Sequence, residues 1–430
     1  MTHSFLAQKG FFFRKNRSIL SLFITLISLI VLCSAVNAAE TEWEWRSTPD
    51  IPQYDEKWRR FEEMWAKHWD GKNIDDMIVL ITQLETDYPE KIEPKLWQGK
   101  LNVLKGKSKG KAGEKSFKLA EAYAVAANKI DPENKIAFKI LIDVLPYIGD
   151  IDYAKSVHGA WIKKAAPLKS GHVVPPMTGN AEWEAALALW DQRAGSAIDQ
   201  ITPEGLEGVE KFNQLANNNP KDLLANAWAC RVNYDTGQFY TSVGKHEEKG
   251  FPHYTLSIQY GEKALAIDPN YLPAKYWSTI SQARLIQKKS ILHKAKYINF
   301  MMENGLFGQR EDCLYNYFGH SLALATMITN GGWAAEKGIS MAGVEIETLI
   351  NQLWIAHTVY PTKLYALYGL ADLYNYQKNH AKAQEVLDLI FSMDADQDPF
   401  ITLENRAVVR FAKEIQQDID SKKKQRHDPM

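Results

Sequence analysis

The stretch Ala127-Asn128-Lys129-Ile130-Asp131-Pro132-Glu133-Asn134 returns later in the chain as Ala264-Leu265-Ala266-Ile267-Asp268-Pro269-Asn270. Each copy closes an apolar helical stretch, and another follows it. Proline lacks the backbone N–H that a helix interior needs, and it drives the residue before it out of the α region. Asp131-Pro132 and Asp268-Pro269 therefore end one helix and clear the way for the next. The alanines just upstream let two helices approach closely. A chain that repeats this phrase is built from helical hairpins, each covering the apolar face of its neighbour.

Outward from these two seams, nearly everything has helical period. Trp58, Phe61, Trp65 and Trp69 fall on one helical face, and Ile74, Met77, Ile78, Ile81, Leu84 and Tyr88 make the next stripe, ended by Pro89. Residues 105–115, rich in Lys, Gly and Ser, read as a flexible loop. A helix from about Glu114 to Ile130 follows. Phe138, Leu141 and Leu145 open a further hairpin, with Gly149-Asp150 as its turn, Ala154 as its small contact residue and Pro167 as its end. Downstream, the pattern predicts helices over about 181–196, 203–217, 221–235, 253–268, 271–287, 289–303, 312–329, 338–360, 363–377, 380–393 and 402–419. Helix-ending prolines at 89, 132, 167, 220, 269, 361 and 399 are unevenly spaced, so the repeats are irregular. No alternation of polar and apolar residues is long enough for a sheet. The fold class is all-α, with helical hairpins of tetratricopeptide (TPR) type stacked as an α-solenoid or a compact α-α superhelix.

The N-terminus reads as a targeting segment. Lys9, Arg14, Lys15 and Arg17 are basic, Ile19 to Leu32 is apolar, and Val36-Asn37-Ala38 offers small residues to a signal peptidase. Cleavage after Ala38 is the leading expectation. Retention of Ile19 to Val36 as an anchor and lipidation at Cys33 stay open, although Leu32 is bulky for a lipidation signal. Each outcome places the folded part outside the cytoplasmic membrane, and the style of the segment fits a Gram-negative periplasm. A membrane contact is expected only if this segment is retained. The expected organisation is a signal peptide over 1–38, an N-terminal hairpin region over 39–166, a Pro/Gly-rich linker or loop over 167–180, a C-terminal TPR-like domain over 181–420 and a charged tail over 421–430.

The 430 residues hold 51 Lys and Arg against 52 Asp and Glu. Four of the basic residues lie in the leader, so the remainder is mildly acidic, which argues against a nucleic-acid surface. Beyond the leader only Cys230 and Cys313 remain. Both sit in helical patterns, and two buried thiols are favoured over a disulfide.

The segment Ala266-Ile267-Asp268-Pro269-Asn270-Tyr271, followed by Ala274-Lys275-Tyr276-Trp277, resembles the T-component (TatT) proteins associated with TRAP transporters. Tyr360-Pro361, the hairpin from Leu367 to Leu387 with Ala371 and Ala383 at its crossing, Asp398-Pro399 and Glu404-Asn405-Arg406-Ala407 extend the resemblance over roughly residues 253–417. The segment 288–310 matches only loosely. The resemblance implies a periplasmic helical protein that binds a small apolar ligand or a solute-binding partner protein, with a homo-oligomer within its range.

Little in the sequence points to catalysis. His246-Glu247-Glu248 and His253 lack the spacing of a zinc protease and read as solvated loop residues. Gly331-Gly332 is a turn without a phosphate-loop pattern, and no G-x-S-x-G elbow occurs. Lys288, Lys289, Lys294 and Lys296 read as a solvated basic face. No catalytic residue, metal ligand or cofactor is assigned. One constellation remains as a candidate ligand site: Tyr276, Trp277 and Arg284 on one helix, with Tyr315, Tyr317 and His320 on a later one. Aromatic rings with polar tips suit a pocket for an apolar ligand fixed by a few hydrogen bonds, but they suit ordinary inter-helix packing as well. The leading reading is an exported, non-enzymatic scaffold binding a small ligand or a partner protein. The alternative is an envelope assembly protein that recruits peptides or proteins through its concave face.

Overall fold

The structure is a computed structural model that describes residues 48–149, 151–165, 174, 176–177, 179–195, 201–244, 246–286, 291–398 and 401–421. The targeting segment, most of the 167–180 linker, Lys288, Lys289, Pro399, the side chains of Lys294 and Lys296, and the tail from residue 422 lie outside the described residues.

The described residues form eighteen α-helices, with one isolated antiparallel bridge between Ala194 and Ile201. The fold is all-α and built of TPR-like hairpins. The first half holds α1 (Glu56–Trp65), α2 (Ile74–Asp87), α3 (Glu93–Lys109), α4 (Glu114–Ile130), α5 (Lys135–Ile148) and α6 (Ile151–Ala165). The middle holds α7 (Ala181–Trp190), α8 (Pro203–Asn218), α9 (Leu223–Gln238), α10 (Glu247–Ile267), α11 (Leu272–Ile286) and α12 (Ile291–Glu311). The last part holds α13 (Tyr315–Gly331), α14 (Trp333–Met341), α15 (Ile346–Val359), α16 (Tyr365–Tyr376), α17 (His380–Ser392) and α18 (Thr402–Ser421). Most consecutive helices pack on each other, and α12 also packs on α3, α15 on α5 and α6, and α13 on α16.

The repeated phrase behaves alike in both places. Asp131 and Asp268 leave the helix at φ −131°, ψ 98° and φ −130°, ψ 102°. Each carboxylate then accepts the amide two residues on, from Glu133 at 3.1 Å and Asn270 at 2.9 Å. The aspartate thus holds the turn that the proline begins. Helix starts are capped in the same economical way: Asn134, Asn180, Thr202 and Asp222 each accept the N3 amide of the helix they precede. In the last expected hairpin, Leu367, Leu370, Ala371, Ala383 and Leu387 are all fully buried.

Several expectations need correction. Residues 105–115 are not a flexible loop: α3 runs to Lys109, a 3₁₀ turn covers Gly110–Gly113, and α4 starts at Glu114. Its Lys107, and Lys100 earlier on α3, are used inside the protein. Lys107 Nζ donates to Gln309 O at 2.7 Å and Lys100 Nζ to Glu311 O at 2.6 Å, so α3 caps the carbonyl end of α12. The helix expected over 338–360 is two helices. Gly343, at φ +91°, breaks it, and its Cα lies 3.1 Å from where a side chain on Gly110 would start. The helix expected over 181–196 stops at Trp190, because Thr202 Oγ1 donates to Gln192 O at 2.6 Å and starts α8 instead. Glu247 and Glu248 are not loop residues; they open α10, where their charge meets the positive end of the helix dipole. Trp69 leaves the face of α1, since Gly71 at φ +70° closes a 3₁₀ turn there. Helix α12 continues to Glu311, beyond the 303 that the pattern predicts.

Cys230 and Cys313 are both free and buried. The Cys313 thiol donates to Asp143 Oδ1 at 2.9 Å. Within the linker expected over 167–180, Val174 and Met177 are buried. Among the described residues, no helix is long and apolar enough to cross a membrane.

Candidate functional site

All six candidate residues are buried, but they do not form one group. Helix α11 places Tyr276 and Trp277 against Tyr315 and His320 of α13. Trp277 Nε1 donates to Tyr315 Oη at 3.0 Å. Tyr276 packs edge-on against Tyr315 at 5.7 Å and against the His320 ring at 4.8 Å. Tyr317 stands apart from that group and packs edge-on against Tyr360 at 4.8 Å. Arg284 follows Tyr276 two turns along α11 and is buried with the other five. Ordinary packing accounts for Trp277 and Tyr315, whose polar tips satisfy each other.

Two glycines make this fit possible. A Cβ on Gly308 would lie 2.0 Å from the His320 ring, so only glycine lets the imidazole lie against α12. A Cβ on Gly319 would lie 2.5 Å from the Tyr276 hydroxyl. Burial, with the Lys107 charge adding to it, pulls His320 down to about 3, so the ring is neutral at physiological pH. Its Nε2 is buried without a hydrogen-bond partner among the described residues. Burial raises the Tyr276 hydroxyl to about 12, which keeps it a donor.

Tyr315, Tyr317 and His320 do not all lie on a regular helix, as the period over 312–329 predicts. Asn316, Tyr317 and Phe318 are left-handed, at φ 49°, 58° and 62° with ψ 50°, 46° and 34°. For L-residues this costs about 1–2 kcal/mol each. The turn aims Tyr317 away from Tyr276 and His320 and under Lys363, whose Nζ lies 3.7 Å from the Tyr317 ring centroid.

Two cavities border these residues, and a third adjoins the second. The first, about 80 Å³, lies between α11, α12 and α13 and is lined by Tyr276, Arg284 and His320 with Ile280, Met301 and Met327. The second, about 40 Å³, is lined by Tyr276, Trp277 and Tyr317 together with Arg231, Asp235, Lys363 and Glu404. A third of the same size shares Asp235 and Glu404 with it and continues to Trp190 and Arg193. Tyr276 is the wall between the first two.

The charged group of the second cavity escaped the sequence reading. Arg231 and Asp235 form an ion pair at 2.8 Å within α9, and the Arg231 guanidinium stacks 4.0 Å from the Trp277 ring. Burial opposes the charge on Arg231, but Asp235 and Glu404 hold it up; burial raises Asp235. A signal was present: Arg231 and Asp235 stand i, i+4 in a helix otherwise rich in Ala, Trp, Val and Tyr. A charged pair at that spacing in an apolar helix has a partner or a task. Lys363 and Glu404 carried no such mark. Among the described residues, no group of His, Cys, Asp and Glu is placed to hold a metal ion.

The arrangement can hold a ligand: it offers enclosed volume, aromatic walls and a few polar atoms. It belongs to an all-α protein of TPR-like hairpins with chambers between the helices. No family model matches the chain, and no curated protein does. Among solved structures, the chain is similar to yeast Tom70 at 12% identity, over 83% of this chain and 96% of that one. The TM-score is 0.20, too low for the likeness to carry an argument.

Proposed function

We propose that the protein is an exported, non-enzymatic scaffold that binds a small apolar ligand in the cavity between α11, α12 and α13. The observation that carries this reading is the cavity itself. It is walled by Ile280, Met301 and Met327, with Tyr276, Arg284 and His320 supplying polar tips. Its volume of about 80 Å³ is roughly half that of an engineered apolar cavity of about 150 Å³ that takes up benzene. The group held there is therefore a few carbons, or the end of a longer chain. The resemblance of residues 253–417 to T-components supports a role beside a TRAP-type transporter, and the leader supports a periplasmic location with cleavage after Ala38.

Native mass spectrometry of the exported protein tests this. The wild type should carry a small-molecule adduct that Ala323→Phe, which fills the cavity, loses without losing its fold. A wild type free of adduct, or an adduct kept by Ala323→Phe, refutes the cavity. N-terminal sequencing should begin at Ala39; a start at Met1 or acylation at Cys33 refutes the cleavage. A second reading, recruitment of a partner protein, is favoured by a different observation. Trp333 and Met341 are 74% and 79% exposed at the two ends of α14. Gene neighbourhood separates the two: transporter genes fit the first, envelope-assembly genes the second.

A further inference from the structure

The second cavity holds charged atoms whose partners are missing. Lys363 is 6% exposed, and its ammonium sits between two rings, 3.7 Å from the centroid of Tyr317 and 5.2 Å from that of Tyr365. The ammonium makes no ion pair or hydrogen bond among the described residues. Arg231 uses Nε on Asp235, while its Nη1 is buried with no hydrogen-bond partner among the described residues. Glu404 faces Arg193 across 3.9 Å with Oε1, while Oε2 is buried with no hydrogen-bond partner among the described residues. All three side chains line the same chamber.

Buried polar atoms are almost always paired, and unpaired buried charges are costlier still. Arg231 Nη1, Glu404 Oε2 and the Lys363 ammonium, which meets only ring faces, share one chamber and ask for a ligand that supplies what each lacks. Two are cationic donors and one is an anionic acceptor, so the complement carries a carboxylate at one end and an N–H cation at the other. We propose that this chamber binds a small zwitterion, with its carboxylate received by Lys363 and Arg231 and its ammonium by Glu404. The Tyr317 and Tyr365 rings shield the Lys363 end from water. Burial, with the Arg231 charge adding to it, pulls the Lys363 amine to about 7, despite Glu404; an arriving carboxylate favours the charged form. The left-handed turn at 316–318 fits the same role, because strain of this kind persists where a side chain must be held in place. The site is separate from the apolar cavity, and its test does not depend on that one.

The experiment is calorimetric titration of the purified protein with glycine, β-alanine and 4-aminobutyrate, which set the two charges at increasing separation. Acetate and methylammonium serve as single-charge comparators. At least one zwitterion should bind about tenfold more tightly than either comparator, a factor worth about 1.4 kcal/mol. Lys363→Met and Glu404→Gln should each remove that advantage. The free Lys363→Met protein should melt at or above the wild-type temperature, because it no longer buries an unpaired amine. Three results overturn the proposal: no zwitterion binds; acetate binds as tightly as the best zwitterion; or free Lys363→Met melts well below the wild type, which would mean that the amine already has its partner.

Discussion

Lys107→Met tests how the two halves of the chain are held together. Lys107 is buried on α3, where its Nζ meets Asp143 Oδ1 at 2.6 Å, Gln309 O at 2.7 Å and Arg310 O at 3.3 Å. Burial works against the ammonium, but Asp143 first, then Cys313 and Tyr147, hold its pKa above the ordinary lysine value. Methionine keeps most of the volume and removes only the charge. The Asp143 carboxylate then keeps the Cys313 thiol but loses its cation, and two carbonyls at the end of α12 lose their donor. Breaking one side of a buried pair costs about 3–5 kcal/mol. For a chain of this length each kcal/mol moves the melting temperature by about 2 °C or less, so the expected fall is about 5–10 °C. Circular-dichroism melts at neutral pH read it directly. The companion variant Lys107→Met/Asp143→Leu removes both charges and should recover at least half of the loss, since an apolar pair can replace a buried ion pair at little cost. A single variant within about 1 °C of wild type, or a double variant less stable than the single, would refute the reasoning.

Further outcomes follow from the same physics. His320 is neutral in the fold, with its pKa near 3, and ordinary when unfolded. Its contribution is therefore full above about pH 6.5 and is lost as the pH falls toward the folded value. His320→Gln should flatten the fall in melting temperature between about pH 6.5 and 4; an unchanged pH profile would count against it. His357, lowered to about 4 by burial and then Lys155, adds to the same acid sensitivity. Gly308→Ala should destabilise by about 1–3 kcal/mol through the His320 ring. Gly159→Ala in α6 meets nothing within 4 Å and should stabilise by about 0.5–1 kcal/mol; urea melts showing the same sign for both would refute the contrast. Ala371→Trp and Ala383→Trp, each placing an indole at a fully buried position of the α16–α17 hairpin, should each lose about 1–3 kcal/mol or more by overpacking. Equal melting temperatures would refute the hairpin crossing.

The all-α fold was legible because its signals are local. Asp-Pro ends a helix through the chain itself, and the same two dihedrals recur at Asp131 and Asp268 without help from distant residues. Residues 105–115 were misread for the opposite reason. Lys, Gly and Ser favour solvent and loops only when nothing else claims them, and here Gln309 and Asp143, far along the chain, claim Lys107. Gly106 is helical because Phe117 packs where its side chain would be, with the ring 2.5 Å from an added Cβ. The aromatic half of the site could be read from Tyr276, Trp277, Tyr315 and His320, aromatic side chains with polar tips inside stretches of helical period. Lys363 and Glu404 could not, since Lys363 lies two residues before α16 and Glu404 is the third residue of α18, and only the fold brings them beside α9.

Two sets of charged side chains with buried atoms among the described residues differ in kind. Lys107 with Asp143, and His68 with Glu311 at 2.7 Å, are fully answered pairs at the junction of α3, α5 and α12. Lys100 donates a hydrogen bond to a helix end in the same place. Such groups pin one packing arrangement, and an apolar substitute could do much of the same work. Arg231, Lys363 and Glu404 are different: among the described residues Arg231 Nη1 and Glu404 Oε2 are buried with no hydrogen-bond partner and the Lys363 ammonium meets only ring faces, all in one chamber beside a left-handed turn. No packing advantage offsets an unanswered charge, because Met or Gln would fill the same space more cheaply. A fold that keeps these three together gains from something outside the free chain, and a ligand that satisfies all three at once supplies it.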